Sequence, residues 1–101
     1  MNAQARKMLI AVEDLLSYYR NKDSGGRYDC PLCRASGTGC DACPWVVLQK
    51  GISCMDLPFD IVVRRMNPSS QWRATSIRRL TKWVAQIKRG TYERRLKKAN
   101  P

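Results

Sequence analysis

The sequence predicts a mainly α fold: a small single domain of about three to four helices built around a cysteine-rich knuckle. Two stretches, residues 3 to 20 and 70 to 89, repeat apolar side chains at three- and four-residue intervals. Between them the run "CPLCRASGTGCDACPW", residues 30 to 45, carries four of the chain's five cysteines in two C-x-x-C pairs. The chain is also short, at 101 residues, close to the lower size at which an apolar core stabilises a domain unaided.

The first helix is expected over residues 3 to 20, where Leu9, Val12, Leu16 and Tyr19 form one face and Met8 and Leu15 widen it. "NKDSGG", residues 21 to 26, stops it and opens a loop toward Cys30. The knuckles, with Pro31, Gly37 and Gly39, read as turns without regular structure. Pro44 suits the first position of a short helix, because its missing N–H would have no helical partner there, and Gly51 closes that helix. "LPFDIVVRRM", residues 57 to 66, is ambiguous between helix and strand; the helix is preferred, with Asn67 and Pro68 ending it. Ser69 or Ser70 then caps a long helix that runs to Arg89, with Gly90 as its stop. Its apolar face is Ile77, Leu80, Val84 and Ile87, with Trp83 beside it. The domain organisation expected is therefore 1–90 as one unit: helix and loop (1–27), cysteine module (28–56) and basic helical part (57–90). Residues 91–101 would be a basic, flexible tail with little to bury.

Composition narrows the setting. Apolar residues make up 44% and charged residues 27%, which describes a soluble globular domain rather than a disordered chain. Glu13 and Asp14 interrupt what would have to be the apolar part of a signal peptide, and no run is long enough to cross a bilayer. The expectation is a cytoplasmic protein, in which thiols stay reduced and neighbouring C-x-x-C pairs more often hold metal than disulfides.

Zinc is the leading reading of the cysteines. Each C-x-x-C supplies two thiolates from one tight turn, and Ser36, Gly37 and Gly39 let the intervening chain reverse so that Cys30, Cys33, Cys40 and Cys43 close a tetrahedron. The chain has no histidine, so the site must be all-cysteine, one zinc per chain. Cys54 is a possible substitute for Cys40 or Cys43 and is otherwise a small buried hydrophobe. A redox dithiol, an iron–sulfur cluster or disulfides are the alternatives; the dithiol lacks the preceding strand that a thioredoxin-type motif has. Four ligands leave no open position, so the metal would be structural.

The same run, followed by Gly51, Cys54 and the Pro58–Phe59 step and flanked by helices, resembles small cysteine-rich, zinc-knuckle proteins encoded in bacteriophage and prophage genomes. The likeness covers residues 28 to 60. It implies a metal-binding accessory protein in a phage setting, such as gene control or anti-defence.

Charge is the second informative feature. Residues 61 to 101 hold twelve basic side chains and one acidic, Glu93, so the whole net charge of +11 lies there, while residues 1 to 60 are balanced. Such asymmetry points to a polyanion. Arg64, Arg65, Arg73, Arg78, Arg79, Lys82, Lys88 and Arg89 are the candidates for a phosphate-binding surface of DNA or RNA, with Arg94, Arg95, Lys97 and Lys98 as a trailing arm. Trp72 and Tyr92 flank it and are candidates for base stacking, although for Trp72, as for Trp45 and Trp83, a place in the core is favoured. The alternative partner is a host protein with an acidic patch, which the same arginines would meet; a membrane surface ranks behind both. No histidine, phosphate loop or nucleophile elbow is present, so no enzyme is expected.

Overall fold

The computed structural model describes residues 1–21, 31–37, 41–49 and 70–99, the side chains of 70–72 and 99 excepted. Every element among the described residues is a helix: α1 (Ala3–Arg20), α2 (Pro31–Ser36), α3 (Pro44–Val47), α4 (Ser70–Lys88) and α5 (Thr91–Ala99). The segment expected to be a short helix or strand, 57–66, lies outside the described residues, as do the 22–30 loop, Cys30, Cys40 and Cys54.

α1 begins where Asn2 supplies an N-cap, its Oδ1 accepting the Ala5 N–H at 2.8 Å. Its buried residues are Ala5, Met8, Ala11, Val12, Leu15, Leu16, Tyr18 and Tyr19, with Leu9 only partly covered. Met8, Val12, Leu15, Leu16 and Tyr19 of the expected face are thus buried, and Ala5, Ala11 and Tyr18 extend it. Along this row α1 packs against α4, whose contribution centres on Leu80, Trp83 and Ile87, with Ile77 and Val84 at the margin. α2 covers the other side of α1 with Leu32 and Ala35.

Two expectations need correction. Pro31 to Ser36 forms a helical turn and a half: Pro31 stands at its start, where no N–H is needed, and Ser36 Oγ donates to the Leu32 carbonyl at 2.7 Å. Gly37 ends it at φ +86°, a conformation that costs a residue with a Cβ roughly 1 kcal/mol or more. The basic tail is helical too. Gly90, also at φ +86°, breaks the chain after α4, and α5 then turns back so that Tyr92 is 0% exposed and Leu96 packs on the core. That burial was not expected of so basic a segment.

α3 is a single turn, shorter than expected, and it matters for its tryptophan. Trp45 meets Trp83 edge to face, with centroids 5.2 Å apart and rings at 86°. The aromatic pair joins the cysteine module to α4.

The C-terminal end of α1 is closed by a side chain from far along the sequence. Arg73 Nη1 donates to the carbonyls of Tyr19 at 2.5 Å, Asn21 at 3.1 Å and, more weakly, Tyr18 at 3.4 Å. These carbonyls stand at the C-terminal end of α1, where the cation also complements the negative end of the helix dipole. Arg73→Ala should therefore cost about 1–2 kcal/mol in urea unfolding, whereas Lys82→Ala, on an exposed position, should change stability by less than about 0.5 kcal/mol.

Candidate metal centre and nucleic-acid interface

Of the expected zinc ligands, Cys33 and Cys43 fall within the described residues. Cys33 is the third residue of α2 and is exposed. Cys43 is the N-cap of α3 and is 4% exposed; its carbonyl accepts the N–H groups of Val46 and Val47, both at 2.9 Å. The two cysteines are thus fixed at a helix and a helix start respectively. Among the described residues no group of three or more potential ligands comes together.

The two cysteine-bearing segments share one support. Gln4 Nε2, from the first turn of α1, donates to the Ala35 carbonyl at 3.0 Å, two residues beyond Cys33. Tyr92 Oη, from the first turn of α5, donates to the Ala42 carbonyl at 2.5 Å, the residue before Cys43. Gln4 Nε2 also reaches Tyr92 Oη, at 3.5 Å. One polar pair therefore ties the backbones of both segments to each other and to α1 and α5. Cys33 and Cys43 are thiol donors on segments held in this way, and a tetrahedral ion such as zinc would take them as thiolates.

Neither Gln4 nor Tyr92 was legible as a support from the sequence; only the presence of an aromatic in a basic segment hinted at burial. Tyr92 is not available for base stacking, contrary to expectation, because its ring is fully enclosed. Burial pushes its phenol pKa up, the hydrogen bond from Gln4 draws it down, and the charge of Cys43 pushes it up again. The net rise keeps the hydroxyl protonated, as a donor to Ala42 must be.

The basic side chains divide into two groups. Arg73 is spent on the end of α1. Arg79 lies over the face of Trp45, its Cζ 4.7 Å from the ring centroid, and burial lowers its guanidinium pKa. Arg79 was expected on the outer side of its helix; its place four residues before Trp83, on the same row, is the signal that it turns inward. Arg78, Lys82 and Lys88 of α4, Arg89 just after it, and Arg94, Arg95, Lys97 and Lys98 of α5 are exposed. Arg95 Nη1 also donates to the Leu48 carbonyl at 3.3 Å, steadying the end of α3. Arg64 and Arg65 lie outside the described residues, and the Trp72 side chain does too. Glu93, the sole acid of residues 61–101, is engaged elsewhere: its Oε1 accepts the Asn2 N–H at 2.9 Å and lies 3.9 Å from the Met1 ammonium. The outward cations of α4 and α5 thus keep their charge uncompensated by that acid.

Comparison with known proteins gave no match to a family model, to a curated protein or to a solved structure. No described helix is long and apolar enough to cross a membrane.

Tyr92→Phe keeps the ring and removes the donor, leaving the Ala42 carbonyl without it. It should cost about 1–2 kcal/mol at neutral pH in chemical unfolding. Because the folded phenol titrates above its unfolded value, Tyr92 contributes stability that is present below pH about 10 and lost as pH rises beyond it. Unfolding of the Phe variant should accordingly lose less stability between neutral and strongly alkaline pH than the parent.

Proposed function

We propose that this chain is a non-enzymatic, zinc-stabilised protein that binds nucleic acid through the exposed basic surface of α4 and α5. The observation that carries the reading is the placement of charge: Arg78, Lys82, Lys88, Arg89, Arg94, Arg95, Lys97 and Lys98 are all exposed, while the one acid of that region is turned to the N-terminal backbone. A cation-rich surface of this kind binds phosphates by releasing condensed counterions, without requiring any particular base. Zinc, held by Cys30, Cys33, Cys40 and Cys43, would lock the cysteine segments onto α1 and α5 and so keep the second basic helix in place. A phage setting in gene control, suggested by the sequence resemblance, is compatible with both parts.

Elemental analysis of protein purified without added metal should give close to one zinc per chain. Cys33→Ser and Cys40→Ser should lose it, while Cys54→Ala should keep it at a modest stability cost; the reverse pattern for Cys40 and Cys54 would exchange their roles.

Binding to generic duplex and single-stranded oligonucleotides should weaken steeply with salt. Replacing Arg78, Lys82 and Arg89 together by glutamine should flatten the logarithmic salt dependence by about two to three, at about 0.9 for each phosphate no longer neutralised. Unchanged helicity and zinc content separate this from misfolding. A triple variant with the parent's affinity and salt slope would turn the assignment toward an acidic protein partner, which a nuclease-treated pull-down then identifies.

A further inference from the structure

On the reading that the basic helices meet nucleic acid, we infer that the ligand is duplex DNA and that the outer face of α4 enters its major groove. The face has a particular make-up. Ala74, Thr81 and Ala85 are exposed and small, and around them stand the exposed Arg78, Lys82, Lys88 and Arg89. At 100° per residue these seven positions cover about 120° of the helix surface, with the two alanines near its middle and cations on both sides. Small side chains at the centre let the helix backbone approach the floor of a groove, and long cations at the margins reach the phosphates that wall it.

The dimensions agree. The row Arg78, Lys82, Ala85, Arg89 runs about 16 Å along the helix at 1.5 Å per residue, and a helix about 10–12 Å across suits a B-form major groove about 12 Å wide. No acidic residue occurs anywhere in Ser70–Lys88. Beside the face, Glu13 of α1 lines an open groove that Arg20 and Thr81 also line. Gly90 redirects the chain after the face ends, which leaves α5 and its cations beside α4 rather than in line with it.

Among the described side chains none offers a single strand a stacking platform. Binding of single strands relies on aromatic platforms for stacking, and every aromatic whose side chain is described is buried: Tyr18, Tyr19, Trp45, Trp83 and Tyr92. Double-stranded RNA has a major groove too deep and narrow for side chains to read, so an α4 entering a groove distinguishes the two duplexes.

The test uses the full zinc-loaded chain, fluorescence anisotropy, and one sequence presented as DNA duplex, DNA single strand and RNA duplex. The DNA duplex should bind about tenfold or more tightly than either of the others. Ala74→Leu combined with Ala85→Leu adds bulk at the centre of the face without altering charge, and both residues are good helix formers. It should weaken DNA duplex binding about tenfold, with circular dichroism and zinc content unchanged, because groove contact is steric as well as electrostatic. Equal or tighter binding of the single strand or the RNA duplex overturns the inference and leaves general nucleic-acid binding standing. Unaltered duplex affinity in the double leucine variant also overturns it, in favour of contact with the phosphates alone. Absence of binding to all three ligands removes the nucleic-acid reading itself.

Discussion

The Tyr92 hydroxyl stands at the junction of almost every described element. It belongs to α5, donates to the backbone just before α3, and receives a hydrogen bond from Gln4 of α1, which in turn holds α2 through Ala35. The phenol is fully buried and its hydrogen bonds are local to a low-dielectric interior, where an unmet polar group is costly and a satisfied one defines geometry. The cysteine segments are short, and they reach the core through Leu32, Ala35, Trp45, Val47 and Leu48. Their backbones are in addition held by this pair of side chains reaching in from opposite ends of the sequence.

Basic residues serve two separate ends in this protein. Arg73 and Arg79 are structural cations: one satisfies the carbonyls at the end of α1, and the other stacks on Trp45. Their neighbours in sequence, Arg78 and Lys82, point outward and stay exposed. A helical period explains the division, since Arg79 shares a row with Trp83 while Arg78 and Lys82 share one with Ala85 and Arg89. Total charge therefore overstates the surface presented to a polyanion, and the exposed subset is what sets it.

The two long helices were legible in the sequence because their apolar residues repeat over four or five turns. α5 was not: a helix with one fully buried aromatic and one partly buried leucine gives too little periodicity to outweigh Arg94, Arg95, Lys97 and Lys98. α2 was hidden by the proline and glycine that bound it, which mark its ends rather than exclude it. The cysteine spacing identified the candidate metal ligands, but the residues that hold Cys33 and Cys43 in place come from positions 4 and 92, and no local pattern links those. Arg73 was equally opaque, since its partners are backbone carbonyls fifty-odd residues earlier.

That long reach has a consequence for how the chain comes to be folded. α2 follows α1 closely in sequence, but the other partners of α1, Arg73, Leu80, Trp83 and Tyr92, are made more than fifty residues after it, so the part of the apolar row that α4 covers stays open until then. Helices alone of this length are marginal in water, and contacts between distant positions slow closure of the core. Newly made α1 is therefore exposed to aggregation or to capture by chaperones until α4 follows it. Its full protection comes when α4 and α5 arrive.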